Sequence, residues 1–132
     1  MKTFQIQTEK REELRLVTSQ LSSLVRENGW QSGALLVFCP HTTAALTINE
    51  AADPDVCLDM RTFMSKLVPP LPEFRHAEGN SDAHIKTSLF GPHCLLIVEN
   101  GQLKLGTWQG VYFCEWDGPR SRTVWVQFLP GV

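Results

Sequence analysis

His93-Cys94-Leu95-Leu96-Ile97-Val98-Glu99-Asn100-Gly101-Gln102-Leu103-Lys104-Leu105 is the stretch that decides the fold class. His93 to Glu99 is rich in aliphatic side chains and reads as a strand. Asn100-Gly101 supplies the two left-handed positions of a tight hairpin turn, and Gln102 to Leu105 resumes extended chain. A turn this short joins antiparallel strands, because a parallel pair needs a crossover of a dozen or more residues.

The same reasoning extends outward from the hairpin. Downstream, Val111 to Trp116 predicts a strand, Asp117-Gly118-Pro119 a turn, and Thr123 to Leu129 a last strand. Upstream, Phe4, Ile6 and Thr8 alternate with polar residues as a first strand. Glu12 to Val17 predicts a second, with Leu14 and Leu16 on one face. Gly33 to Phe38 is apolar throughout, which predicts a strand covered on both faces. Thr42 to Ile48 is rich in β-branched residues and predicts another strand.

Helical spacing interrupts the strands in three places. Thr18 reads as an N-cap for the stripe Leu21, Leu24 and Val25, ending at Asn28-Gly29. Asp53-Pro54 is a cap followed by proline at the first helical position. Val56, Met60, Phe63, Met64 and Leu67 then recur as one buried face, stopped by Pro69-Pro70. Asn80 or Ser81 caps a shorter helix that Gly91-Pro92 terminates. The expectation is one α+β domain over residues 1–132, a mainly antiparallel sandwich of sheets with about three flanking helices.

Composition narrows the function classes. The chain has 132 residues with a formal charge of -2 and 42% hydrophobic content. That suits one domain with a real core, and it offers no overall basic character for nucleic acid. No apolar run is long enough to span a bilayer. Met1-Lys2-Thr3-Phe4-Gln5 lacks the apolar region of a signal peptide, so the cytoplasm is the expected location. Cys39, Cys57, Cys94 and Cys114 are scattered without a Cys-x-x-Cys pair, and read as reduced core residues.

The polar segment His76-Ala77-Glu78-Gly79-Asn80-Ser81-Asp82-Ala83-His84 concentrates imidazoles, carboxylates and an amide between two predicted helices. Gly79-Asn80 permits a sharp turn that swings His76 back over the following helix, making His76 and His84 a candidate pair of metal ligands. His41 follows an apolar strand in Cys39-Pro40-His41-Thr42-Thr43, where a sheet can hold a polar group rigidly at a cleft. The expectation is that the fold joins these two runs. Glu50, next to Asn49, is a candidate metal ligand or general base. Asp53 has a sufficient job as a helix cap, and His93 reads as an ordinary strand-opening residue. Trp108 and Gln109 offer ring and amide contacts. Arg120 and Arg122, two apart, face one side of a strand and can clamp a phosphate.

Taken together, His41-Thr42-Thr43-Ala44-Ala45, Asn49-Glu50 with Asp53-Pro54-Asp55-Val56, His76-x-x-Gly79-Asn80-x-x-x-His84, Leu105-Gly106-Thr107-Trp108-Gln109 and Glu115-x-Asp117-Gly118-Pro119-Arg120-x-Arg122 resemble the YjbQ-like family. The runs occur in the family's order across nearly the whole chain. The resemblance implies a jelly-roll-like sandwich assembled as a homotrimer. It also implies the label of secondary thiamine-phosphate synthase, which couples a pyrimidine pyrophosphate to a thiazole phosphate and releases pyrophosphate. Under that label His41, Glu50 and His84 are the catalytic candidates. Asn49, Asn80, Trp108, Gln109, Arg120 and Arg122 are the substrate contacts, with Lys86 as a further phosphate cation.

Three readings of the histidines follow. The first is an enzyme acting on a phosphorylated small molecule, with His41, His76 and His84 holding a divalent metal near Glu50. Zinc suits the imidazoles and magnesium suits phosphate chemistry; no organic cofactor is called for. The second is a non-catalytic protein that holds a metal or metabolite at the same cluster. The third is purely structural, with the histidines knitting subunits together. Partners are limited to identical subunits, without nucleic acid or membrane.

Overall fold

The computed structural model describes residues 1–132. Its elements run β1 (Lys2–Gln7), β2 (Glu13–Leu16), α1 (Thr18–Glu27), β3 (Gly33–Phe38), β4 (Ala44–Glu50), α2 (Pro54–Leu67), α3 (Ser81–Phe90), β5 (His93–Glu99), β6 (Gln102–Lys104), β7 (Gln109–Glu115) and β8 (Ser121–Pro130). All pairings are antiparallel, in one sheet ordered β1-β8-β3-β5-β6 and another ordered β2-β7-β4. The chain is therefore a single α+β domain of antiparallel sheets with three helices.

The hairpin that fixed the fold class forms as its turn chemistry requires. Asn100 and Gly101 have φ of 53° and 74°, and Glu99 pairs with Gln102 across the turn. Along β5, Cys94, Leu96 and Val98 point inward, while Leu95 and Ile97 point outward at 61% and 63% exposure. The inward set meets Leu35 and Val37 of β3, Val124 and Val126 of β8, and Val111 and Phe113 of β7, so the two sheets curl around one shared core. Leu21 and Val25 of α1 join it. All four cysteines are free, with Cys57 half-buried and the others buried.

A second cluster lies on the far side of the three-stranded sheet. Met64 of α2, Val68 just after it and Ala83 of α3 pack there on Ala45, Tyr112, Cys114 and Trp116. The expected α2 face is corrected here. The contact stripe runs Cys57, Met64, Val68, so Phe63 and Leu67 are turned outward and more than half exposed. Apolar residues surround this helix on more than one side, and spacing alone selected the wrong stripe.

Two further expectations change. The outer face of the five-stranded sheet carries no covering layer from this chain, so β3 is covered on one face only. Thr18 begins α1 without capping it; its Oγ1 instead accepts the Val111 N–H at 2.9 Å, tying the helix to β7. Asp53 does cap α2, accepting the Asp55 N–H at 2.9 Å.

Candidate functional site

The β3–β4 connection, the β7–β8 turn and the start of α3 converge on a polar pocket of about 400 Å³. Its walls include His41, His76, Asn80, His84, Arg120 and Arg122, with Thr42, Thr43 and Glu78 beside them. Pro40 is the one apolar side chain in its lining. The two histidine runs thus meet as the spacing suggested. Gly79, at φ of 72°, makes the turn that lays His76 against His84, with ring centres 5.2 Å apart and planes nearly perpendicular.

A buried ion pair holds the floor. Arg122 donates from Nε to Glu115 Oε1 at 2.8 Å and from Nη2 to Glu115 Oε2 and Thr43 Oγ1. Glu115 also accepts the Thr8 hydroxyl and the Asp117 N–H. Asp117 in turn accepts Asn80 Nδ2 at 2.8 Å and Arg120 Nη2 at 2.9 Å. Burial opposes the Asp117 charge, but Asn80 and Arg120 outweigh it and hold this carboxyl below its ordinary range. Both arginines therefore reach the pocket, as expected, but each is already paired with a carboxylate behind it. Lys86 does not reach it. It is buried between Glu12 and Asp82, at 2.9 and 3.2 Å.

His41 has a fixed proton arrangement. The Thr123 N–H donates to its Nε2 at 3.0 Å, a bond that only the ring nitrogen's free lone pair can accept, so the ring proton sits on Nδ1. Burial and the nearby Arg122 charge lower the His41 pKa below its ordinary value. Asn80 contributes an unusual feature: its Oδ1 is buried without a hydrogen-bond partner. An acceptor left so typically costs about 1–3 kcal/mol.

The metal expectation divides on this geometry. Two imidazoles on one tetrahedral zinc, each nitrogen about 2 Å from the ion, set ring centres roughly 5 Å apart, which the His76–His84 pair matches. His41 is different: Nε2 accepts from Thr123 and Nδ1 carries the proton, so neither ring nitrogen is open to a metal in this arrangement. Within one chain no three histidine, cysteine or acidic side chains form a metal-holding group.

Glu50, Asn49, Trp108 and Gln109 lie elsewhere in the chain. The β4–β7 ladder pairs Ala44 with Glu115 at the histidine end and Glu50 with Gln109 at the other. Six residues of strand separate them by about 20 Å. At that far end the groups serve the turn: Gln109 Oε1 accepts the Gly106 N–H, and Asn49 Oδ1 accepts the Glu50 N–H. The Glu50 carbonyl accepts the Tyr112 hydroxyl, and Trp108 is 63% exposed. Glu50 thus does not stand beside the histidines of its own chain. Conversely, Thr43, Glu115 and Asp117 belong to the site without standing out in the sequence, although Glu115-x-Asp117 ahead of Arg120-x-Arg122 carries the signal of acids facing bases across a turn.

Comparison with known proteins agrees with this architecture. The model of the UPF0047 protein YjbQ-like family matches residues 2–131. The chain belongs to that family. The UPF0047 protein YugU of Bacillus subtilis is 51% identical over 130 residues, covering 98% of each chain. The UPF0047 protein YjbQ of Salmonella typhimurium is 40% identical, covering 80% of this chain and 78% of its own. A crystal structure of a UPF0047 family protein from Clostridium acetobutylicum superposes with a TM-score of 0.95 at 46% identity, over 98% of this chain and 100% of that one. A Thermus thermophilus protein gives 0.91 at 40% identity, over the same shares. The UPF0047 fold is therefore shared across the whole chain, and the histidine pocket is built on it.

Proposed function

We propose that the histidine pocket binds a small phosphorylated metabolite in the cytoplasm and acts on it, with thiamine phosphate formation as the first reaction to assay. The observation that carries this reading is a pocket of about 400 Å³ lined, apart from Pro40, by polar side chains that include three histidines and two arginines. No protein group bonds Arg122 Nη1, so it is available to a phosphate oxygen, and exposed Arg120 stands beside it. Donors placed where a pyrophosphate leaves would stabilise the charge it gains. His76 and His84 supply the imidazoles beside them.

A divalent ion fits this reading through His76 and His84. Zinc is favoured by the nitrogen donors, magnesium by a phosphate ligand, and either would polarise a phosphate oxygen. Pro40 alone is too small an apolar surface to hold a pyrimidine or thiazole ring. A homotrimer would answer both that need and the bare sheet face, where Leu95, Ile97, Trp125 and Leu129 stand exposed. A neighbouring copy could then bring its exposed Trp108, or its own Glu50 end, to the histidines.

One observation favours a binding protein as the second reading. Both arginines are charge-paired to Asp117 and Glu115, which suits holding a ligand more than stabilising a new charge. Pyrophosphate release from a pyrimidine pyrophosphate and thiazole phosphate, alongside calorimetry, separates the two. Turnover lost in His84→Ala supports the enzyme. Binding without turnover supports the second reading, and neither binding nor turnover overturns both.

A further inference from the structure

The three-stranded sheet carries a second cavity, on the side away from the shared core. It measures about 370 Å³ and is lined by Glu13, Leu14 and Leu16 of β2, Tyr112 of β7, Cys57 and Arg61 of α2, and Lys10 before β2. Its chemistry is unlike that of the histidine pocket. The lining combines an apolar floor with cations, whereas the only apolar side chain at the histidine pocket is Pro40.

The charge balance decides what the cavity attracts. Lys10 and Arg61 take part in no ion pair and donate no side-chain hydrogen bond, although most other arginines of this chain do. Arg61 is partly buried as a residue and its guanidinium has no protein partner. Glu13, the one carboxylate at the cavity, is committed to the Glu9 N–H at 2.6 Å and to Arg15 at 3.4 Å. The Tyr112 hydroxyl is likewise committed to the Glu50 carbonyl at 2.8 Å, leaving its ring as wall. The available charge is therefore positive and sits over an apolar floor. A cavity of this size is in the range of small-molecule sites.

We infer that this cavity is a binding site for a small organic anion with an apolar body, an aryl or branched-chain carboxylate. Its carboxylate pairs with Arg61 and Lys10, and its apolar part lies on Leu14, Leu16 and the Tyr112 ring. Arg61 presents a planar fork suited to a carboxylate, and a charge-assisted pair is stronger than a neutral one. The site is independent of the reading given to the histidine pocket and stands or falls by itself.

Cys57 supplies the reporter, being the one cysteine that is not buried and lining this cavity. The experiment measures the rate at which iodoacetamide, a neutral alkylating agent, modifies Cys57 in the full chain while phenylacetate is titrated. Phenylacetate should slow alkylation saturably, with half-protection at millimolar concentration or below. Phenylacetamide, its neutral counterpart, should require about tenfold more, as should phenylacetate against Arg61→Gln. Lys10→Gln provides a second variant should Arg61→Gln fail to fold, and His84→Ala should leave protection unchanged. Absence of protection, equal protection by phenylacetamide, or protection untouched by both cation substitutions would overturn the assignment.

Discussion

Arg122 and Glu115 form an enclosed ion pair at the junction of β7 and β8, with 5% and 0% side-chain exposure. The same carboxylate accepts the Thr8 hydroxyl at 2.8 Å, so one residue ties the N-terminal strand, the last hairpin and the pocket floor together. Removing one partner of such a pair leaves the other charge buried and uncompensated. Glu115→Gln should therefore destabilise the protein by about 3–5 kcal/mol. Denaturant midpoints at neutral pH measure this, and a loss within experimental error of zero would show that the pair is not enclosed in solution.

His41 should make stability depend on pH. Burial and Arg122 lower its folded pKa, so the folded ring refuses a proton that the unfolded chain accepts below about pH 6.5. The contribution is complete above that value and is lost as pH falls from there through the lower folded value. Urea unfolding across this window should show a stability decline that is shallower in His41→Gln. Identical slopes would mean that burial and Arg122 do not hold the folded ring neutral.

Asp82 gives a second, more acidic window. Burial opposes its charge, but Arg11 at 3.1 Å and Lys86 at 3.2 Å outweigh that and lower its pKa. Its stabilisation is present above the ordinary carboxylate value of about 4 and disappears as pH drops below it. Asp82→Asn should lower stability at neutral pH and flatten the acid limb of the same titration.

The bare sheet face should be an association surface. Leu95 and Ile97 stand outward on β5, and Phe38 stacks on Trp125 at 5.8 Å across neighbouring strands of that face. Ile97→Lys should leave the fold intact by circular dichroism and reduce the mass seen by light scattering to that of one chain. An unchanged mass would move the proposed trimer contact elsewhere, with the outward Phe63 and Leu67 of α2 as the next surface to test.

Local chemistry was legible in the sequence, and long-range placement much less so. Asn100-Gly101 and Asp53-Pro54 each specify their own backbone, and both behave as read. The turn at Gly79 likewise brought His76 to His84. Glu50 failed for a geometric reason: β4 is 7 residues long, so His41-Thr42-Thr43 and Asn49-Glu50 flank opposite ends of one strand however close they stand in sequence. Thr18 satisfied cap chemistry but found a better partner in β7. The outward faces of β3 and α2 looked like core because periodicity reports apolar stripes without saying whether the same chain covers them.

The most direct test of the pocket is an amide chemical-shift titration of the isotopically labelled protein with pyrophosphate, then with thiazole phosphate and thiamine phosphate. Binding at the histidine pocket predicts the largest shifts at Thr43, Asn80, His84 and Thr123, with little change at Thr43, Asn80 and Thr123 in His84→Ala. Shifts confined to the Trp108–Gln109 end, or none at all with any of the three ligands, would contradict the histidine pocket as the site of phosphate recognition.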